Sequence, residues 1–100
     1  MRRVMVRYRV KPDRAEENEA LVRAVYEELR AAAPDDFHYA TFRLEDGVTF
    51  VHLAAQGDGE SALTGLDAFR RFQAGIRDRC EEPPVVAELD EIGSFNLFAS

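Results

Sequence analysis

The chain has 100 residues, 46% of them hydrophobic and 32% charged, with a net charge of −6. That length fits one domain, residues 1–100. The apolar content is too high for a disordered chain, and the acidic balance argues against a nucleic-acid partner, because phosphate binding needs a basic surface. No apolar run approaches the ~20 residues of a membrane span, so no membrane partner is expected. The opening MRRVMVRYRV lacks the continuous apolar core of a signal peptide. With one cysteine, Cys80, no internal disulfide can form, and a cytoplasmic location is the expectation.

Val4, Val6, Tyr8 and Val10 alternate with Met5, Arg7, Arg9 and Lys11, the period-two pattern of a strand with one apolar and one charged face. Pro12 ends it. Asp13 precedes Glu16 by three, the spacing of a capping box. A helix should follow on Leu21, Val22, Val25, Leu29 and Ala32 and stop at Pro34, Asp35 and Asp36. FHYATFRL and VTFVHLAA, separated by Glu45, Asp46 and Gly47, read as a β-hairpin. QGDGESAL, residues 56–63, reads as a mobile polar loop. Thr64 and Asp67 offer a second cap, and Leu66, Phe69, Phe72, Ile76 and Cys80 mark the stripe of a second helix, weakened at Gly75. Glu81, Glu82, Pro83 and Pro84 read as a stop. VVAELDEIGSFNLF then reads as a long last strand, bent near Gly93.

The order strand, helix, strand, strand, helix, strand is the split βαβ, or ferredoxin-like, arrangement of the α+β class. Right-handed crossovers place both helices on one face of a four-stranded antiparallel sheet, with strand order 4-1-3-2. The other face then lacks a cover. We assign Met5, Arg7 and Arg9 to that open face, with Phe37, Tyr39, Thr41 and Arg43 from the second strand and Phe50, His52 and Ala54 from the third. Such a mixed face suits packing against a second sheet around a partly polar cavity. Phe95, Leu97 and Phe98 are surplus to a core of this size and are expected to meet a partner subunit.

YRVKPDRAEENEALVRAVYEEL, a strand ending in a proline turn and an acidic amphipathic helix, resembles the opening of dimeric α+β barrel proteins, with the antibiotic-biosynthesis-monooxygenase superfamily the nearest kin. The hairpin, the Phe69-Arg70-Arg71-Phe72 helix and the long last strand extend the resemblance over nearly the whole chain. It implies that two subunits close a barrel of two sheets with the helices outside, and that a cleft lies between each sheet and its helices or loops. Oxygenases of that superfamily often carry a tryptophan near the end of the third strand. Here Ala54, Ala55 and Gln56 stand there, and the chain has no tryptophan. Haem-degrading relatives use an asparagine on the first strand and a histidine on the second helix. This chain offers Arg7 and Arg9 on the one and no histidine in residues 66–80 of the other.

The candidates for lining a cleft are Arg7, Arg9, Tyr39, Phe50 and His52. A histidine there has the reach of a general base if a carboxylate or carbonyl orients it. Against that stands a hydrogen-bonded histidine at a sheet interface. Arg7 and Arg9 point the same way and suit clamping a carboxylate or enolate; alternatively they pair with Glu88 and Asp90 on the last strand. Asp35, Asp36 and His38 form ordinary turn chemistry rather than a metal site, and Cys80 reads as a small buried hydrophobe. No metal or other cofactor is expected. The reading that follows is a homodimer that binds a small, partly aromatic molecule. The alternatives are a cofactor-independent monooxygenase of a phenolic or polyketide-like substrate, using His52, Tyr39 and an arginine, and a purely structural dimerisation module.

Overall fold

The computed structural model describes residues 1–57 and 61–97. Its elements are β1 (Arg2–Val10), α1 (Ala15–Ala32), β2 (Phe37–Arg43), β3 (Thr49–Gln56), α2 (Asp67–Ala74), α3 (Ile76–Arg79) and β4 (Cys80–Glu88). The sheet runs β2-β3-β1-β4, antiparallel throughout. This is the ferredoxin-like α+β arrangement expected from the element order. Asp58, Gly59 and Glu60 of the expected polar loop, and Phe98 of the expected partner-facing cluster, lie outside the described residues.

β1 orients as its alternation dictates, with Tyr8 and Val10 buried at 2% and 0% exposure. β2 and β3 are turned the other way from the sequence assignment. Phe50 and His52 are buried on the helix side beside Tyr8, and Tyr39 and Thr41 bond to His52 there. Arg43 reaches Glu16 and Glu19 of α1 at 3.0 Å each. Ala40, Phe42, Val51 and Leu53 therefore take the open face, level with Met5, Arg7, Val85 and Ala87. The reason is that both parities of β2 and β3 carry large apolar residues, so alternation alone does not choose a side. A one-residue difference at the hairpin then flips every side chain. Asp46 fixes that register by accepting from the Val48 and Thr49 amides and the Thr49 hydroxyl, and Gly47 supplies the positive φ of 77° the turn requires.

Neither expected capping box forms. Asp13 falls within a single 3₁₀ turn, Pro12–Arg14, and Arg14 binds Glu17 instead. Glu28 of α1 accepts from the Ala68 amide at 3.1 Å, so the start of α2 is capped from the neighbouring helix. The second helix also divides at Gly75, whose backbone (φ −112°, ψ 11°) leaves the helical region. β4 starts at Cys80, before the expected stop, and ends at Glu88, well short of residue 98. Pro83 and Pro84 are tolerated because β4 is an edge strand. They also fall where the register slips: Arg7 faces Val85 but Arg9 faces Glu82.

The core lies between the sheet and the helices, with Val22, Val25 and Leu29 of α1 and Ala68 and Phe72 of α2 packed over Tyr8, Val10 and Phe50. Each large side chain buried this way contributes about 1.5–3 kcal/mol before entropy is counted. Beyond the strand, Ile92, Phe95 and Leu97 are 96%, 86% and 63% exposed.

Candidate functional site

A cleft of about 510 Å³ opens between the helix-side face of the sheet and the α2–α3 segment. Val4, Val6 and Tyr8 of β1, Tyr39 of β2, and His52 and Ala54 of β3 form its floor. Phe69, Phe72, Gln73 and Ile76 form its roof, and Leu63, Pro84 and Val86 close its sides. The lining is mostly apolar, with few polar groups, the usual character of a small-molecule site.

The polar groups of the floor belong to one buried chain. Arg79, 1% exposed, donates from Nε to Asn18 Oδ1 at 3.1 Å and from Nη2 to the Phe72 carbonyl at 2.6 Å. Asn18 Nδ2 donates to Tyr8 Oη at 2.9 Å. Tyr8 Oη lies 2.8 Å from His52 Nε2. His52 Nδ1 lies 2.7 Å from Tyr39 Oη and 3.0 Å from Thr41 Oγ1, and Thr41 Oγ1 lies 2.8 Å from Tyr26 Oη. The rings stack as well: Tyr8 on His52 at 5.3 Å and on Phe50 at 5.6 Å, and Tyr39 on Tyr26 at 5.3 Å.

Burial sets the protonation of this chain. It lowers the His52 pKa to about 4, so the ring is neutral near pH 7. Burial also raises the Tyr8 and Tyr39 phenols above their ordinary range, against lowering contributions from Asn18 and Thr41 respectively, and both stay protonated. Arg79 is lowered from the usual guanidinium value by burial but stays charged. Among the described residues it has no carboxylate within ion-pair distance. The Phe72 ring, 5.3 Å from its Cζ, and two oxygen acceptors hold it instead.

The structure divides the five sequence candidates. Tyr39 and His52 meet at the cleft floor. Phe50, 2% exposed, sits behind them in the core, stacked on Tyr8. Arg7 and Arg9 lie across the sheet on the open face, where both are exposed. Arg9 approaches Glu81 at 3.8 Å rather than Glu88 or Asp90, and Glu88 pairs with Arg2 at 3.0 Å. Neither arginine shares a space with His52. Sequence reasoning missed Asn18 and Arg79. The signal was present for Asn18, which precedes Val22 by four on the buried stripe of α1. For Arg79 it was weak, because a charged residue at a helix end ordinarily faces solvent. Among the described residues, no group of three or more His, Cys, Asp or Glu side chains converges.

A ferredoxin-like domain with a sheet-to-helix cleft is the class that fold and site define, and solved structures of the same fold are numerous. One from Mycobacterium tuberculosis is 20% identical, with a TM-score of 0.71 over 93% of this chain and 96% of that one. A provisionally named antibiotic biosynthesis monooxygenase of Nitrosomonas europaea is 17% identical, with a TM-score of 0.74 over 91% and 89%. A Pseudomonas aeruginosa protein is 18% identical, with a TM-score of 0.74 over 92% and 94%. At these identities the likeness is one of fold, the fold that the resemblance in sequence implied. No protein-family model and no curated protein matches the chain.

Proposed function

We propose that this chain is a homodimeric binding protein that holds a small, partly aromatic molecule in the cleft between its sheet and α2–α3. The observation that carries the reading is the cleft itself: apolar walls around a floor where Tyr39 and His52 are already held by neighbours. Pre-set polar groups in an apolar hollow orient a ligand with little reorganisation. Pairing through the open face completes the proposal, because Met5, Val51, Leu53, Phe42, Ala40, Val85 and Ala87 form an apolar field there. Lone Cys80 fits a reducing, cytoplasmic setting.

Calorimetric titration with naphthalene-sized aromatics tests the cleft. The wild type is expected to bind them. An Ala54→Trp variant, which fills the cleft from β3, is expected to lose binding while keeping its circular dichroism. Equal binding by both proteins would move the site elsewhere, and open-face substitutions that alter only association would favour a purely structural dimer.

A cofactor-independent oxygenase is the second reading, favoured by the monooxygenase names of several structures sharing this fold. The cleft supplies it hydroxyls but a weak base, since His52 titrates at about 4 and its Nε2 faces Tyr8. No oxygen uptake is expected with a panel of hydroquinones; uptake abolished by Tyr39→Phe would establish the enzyme instead.

A further inference from the structure

We infer that the buried chain from Arg79 runs in one direction and brings the Tyr39 hydroxyl to the cleft as a hydrogen-bond donor, so that the ligand carries an accepting oxygen beside it. The ligand class rests on the cleft reading above; the direction of the chain does not.

The direction follows from donor and acceptor inventories. A guanidinium only donates, so the Asn18 atom facing Arg79 is its carbonyl oxygen, and its amide nitrogen must face Tyr8. Tyr8 Oη accepts that hydrogen and needs an acceptor for its own. His52 Nε2, at 2.8 Å, is the one in reach. A neutral imidazole that accepts at Nε2 carries its hydrogen on Nδ1. Nδ1–H then donates to Tyr39 Oη at 2.7 Å, with Thr41 Oγ1 as the longer branch at 3.0 Å. Tyr26 Oη reaches Thr41 Oγ1 in turn at 2.8 Å. Tyr39 Oη is therefore an acceptor on its protein side, and its own hydrogen is left for the cleft, which Tyr39 lines.

Successive bonds of one direction polarise each other. The charged guanidinium at the far end adds to that polarisation, since no carboxylate among the described residues neutralises it at ion-pair distance. The Tyr39 O–H is thus a stronger donor than an isolated phenol. Of the cleft lining, Val6, Ala54, Phe69, Phe72 and Ile76 offer a ligand apolar contact, and Arg2, Gln56, Ser61 and Gln73 add polar groups. An oxygen that accepts from Tyr39 keeps a hydrogen bond there, whereas a polar group set against the apolar side chains would lose its water unpaired.

Two measurements test this. First, nitrogen-15 NMR of the whole protein, with a His38→Asn variant to assign the two rings, reads the His52 tautomer directly. Hydrogen on Nδ1 with a bare Nε2 is expected; hydrogen on Nε2 would overturn the chain's direction whatever the cleft binds. Second, 2-acetonaphthone is compared with 2-isopropenylnaphthalene, the same shape with the carbonyl replaced by an alkene. Tyr39→Phe is expected to weaken the ketone by roughly five- to tenfold, the ratio one net hydrogen bond gives, and to leave the alkene within about twofold. Equal losses for both compounds would overturn the donor role of Tyr39. If neither compound binds the wild type, the cleft reading and the ligand class fall together, and the tautomer alone judges the network.

Discussion

A neutral, buried His52 makes stability depend on pH in a way that isolates this one residue. The ring titrates at about 4 in the folded protein and at 6.5 when exposed. Between those values the unfolded chain binds one proton more than the folded one, so stability rises with pH by ~1.4 kcal/mol per pH unit. Moving from above pH 6.5 down to pH 4 therefore costs about 3 kcal/mol, and below pH 4 this contribution levels off. The assay is urea unfolding at a series of pH values for the wild type and for His52→Gln. Carboxylates whose pKa is lowered in the folded state, such as Glu17 and Glu19 beside their arginines, lose their contribution as pH falls through the acid range in both proteins. The difference between the two curves should change by about 3 kcal/mol across the window, with the wild type losing more on acidification. Parallel curves would mean that His52 is solvated or charged, and would refute the buried network.

Arg79→Met leaves the Asn18 oxygen and the Phe72 carbonyl without their donor and is expected to destabilise by about 1–3 kcal/mol in chemical denaturation. Gly75→Ala places a Cβ 3.1 Å from Arg79 Nη1. Its effect should be more favourable by ~1 kcal/mol in the Arg79→Met background, a coupling that a double-mutant cycle measures. Phe72→Ala removes the ring that packs on Tyr8 and His52 at 6.1 and 5.6 Å and should cost about 3–5 kcal/mol. Leu53→Glu, between Met5 and Ala40 on the open face, should shift sedimentation towards a single chain with unchanged circular dichroism; an intact dimer would place the interface elsewhere.

The order of elements was legible because each carried its own period. β1 has one charged parity and one apolar parity, so it settled its own orientation and the place of the helices. β2 and β3 did not, since Phe42 and Val51 on one side are as apolar as Phe37 and Phe50 on the other. Their side is chosen by contacts distant in sequence, above all Arg43 with Glu16 and Glu19. That one reversal moved His52 and Tyr39 from the open face into the cleft and separated them from Arg7 and Arg9. It also turned the open face from a mixed surface into a mainly apolar one. Asn18 and Arg79 were hidden for a related reason. A buried polar residue is stable only with partners, and those partners are 61 positions apart in the chain.

Native mass spectrometry of the freshly purified protein, with and without 2-acetonaphthone, tests the central claim most directly. The expected result is a species of two chains that takes up the ketone. A single-chain species, or a two-chain species that takes up none, would contradict it.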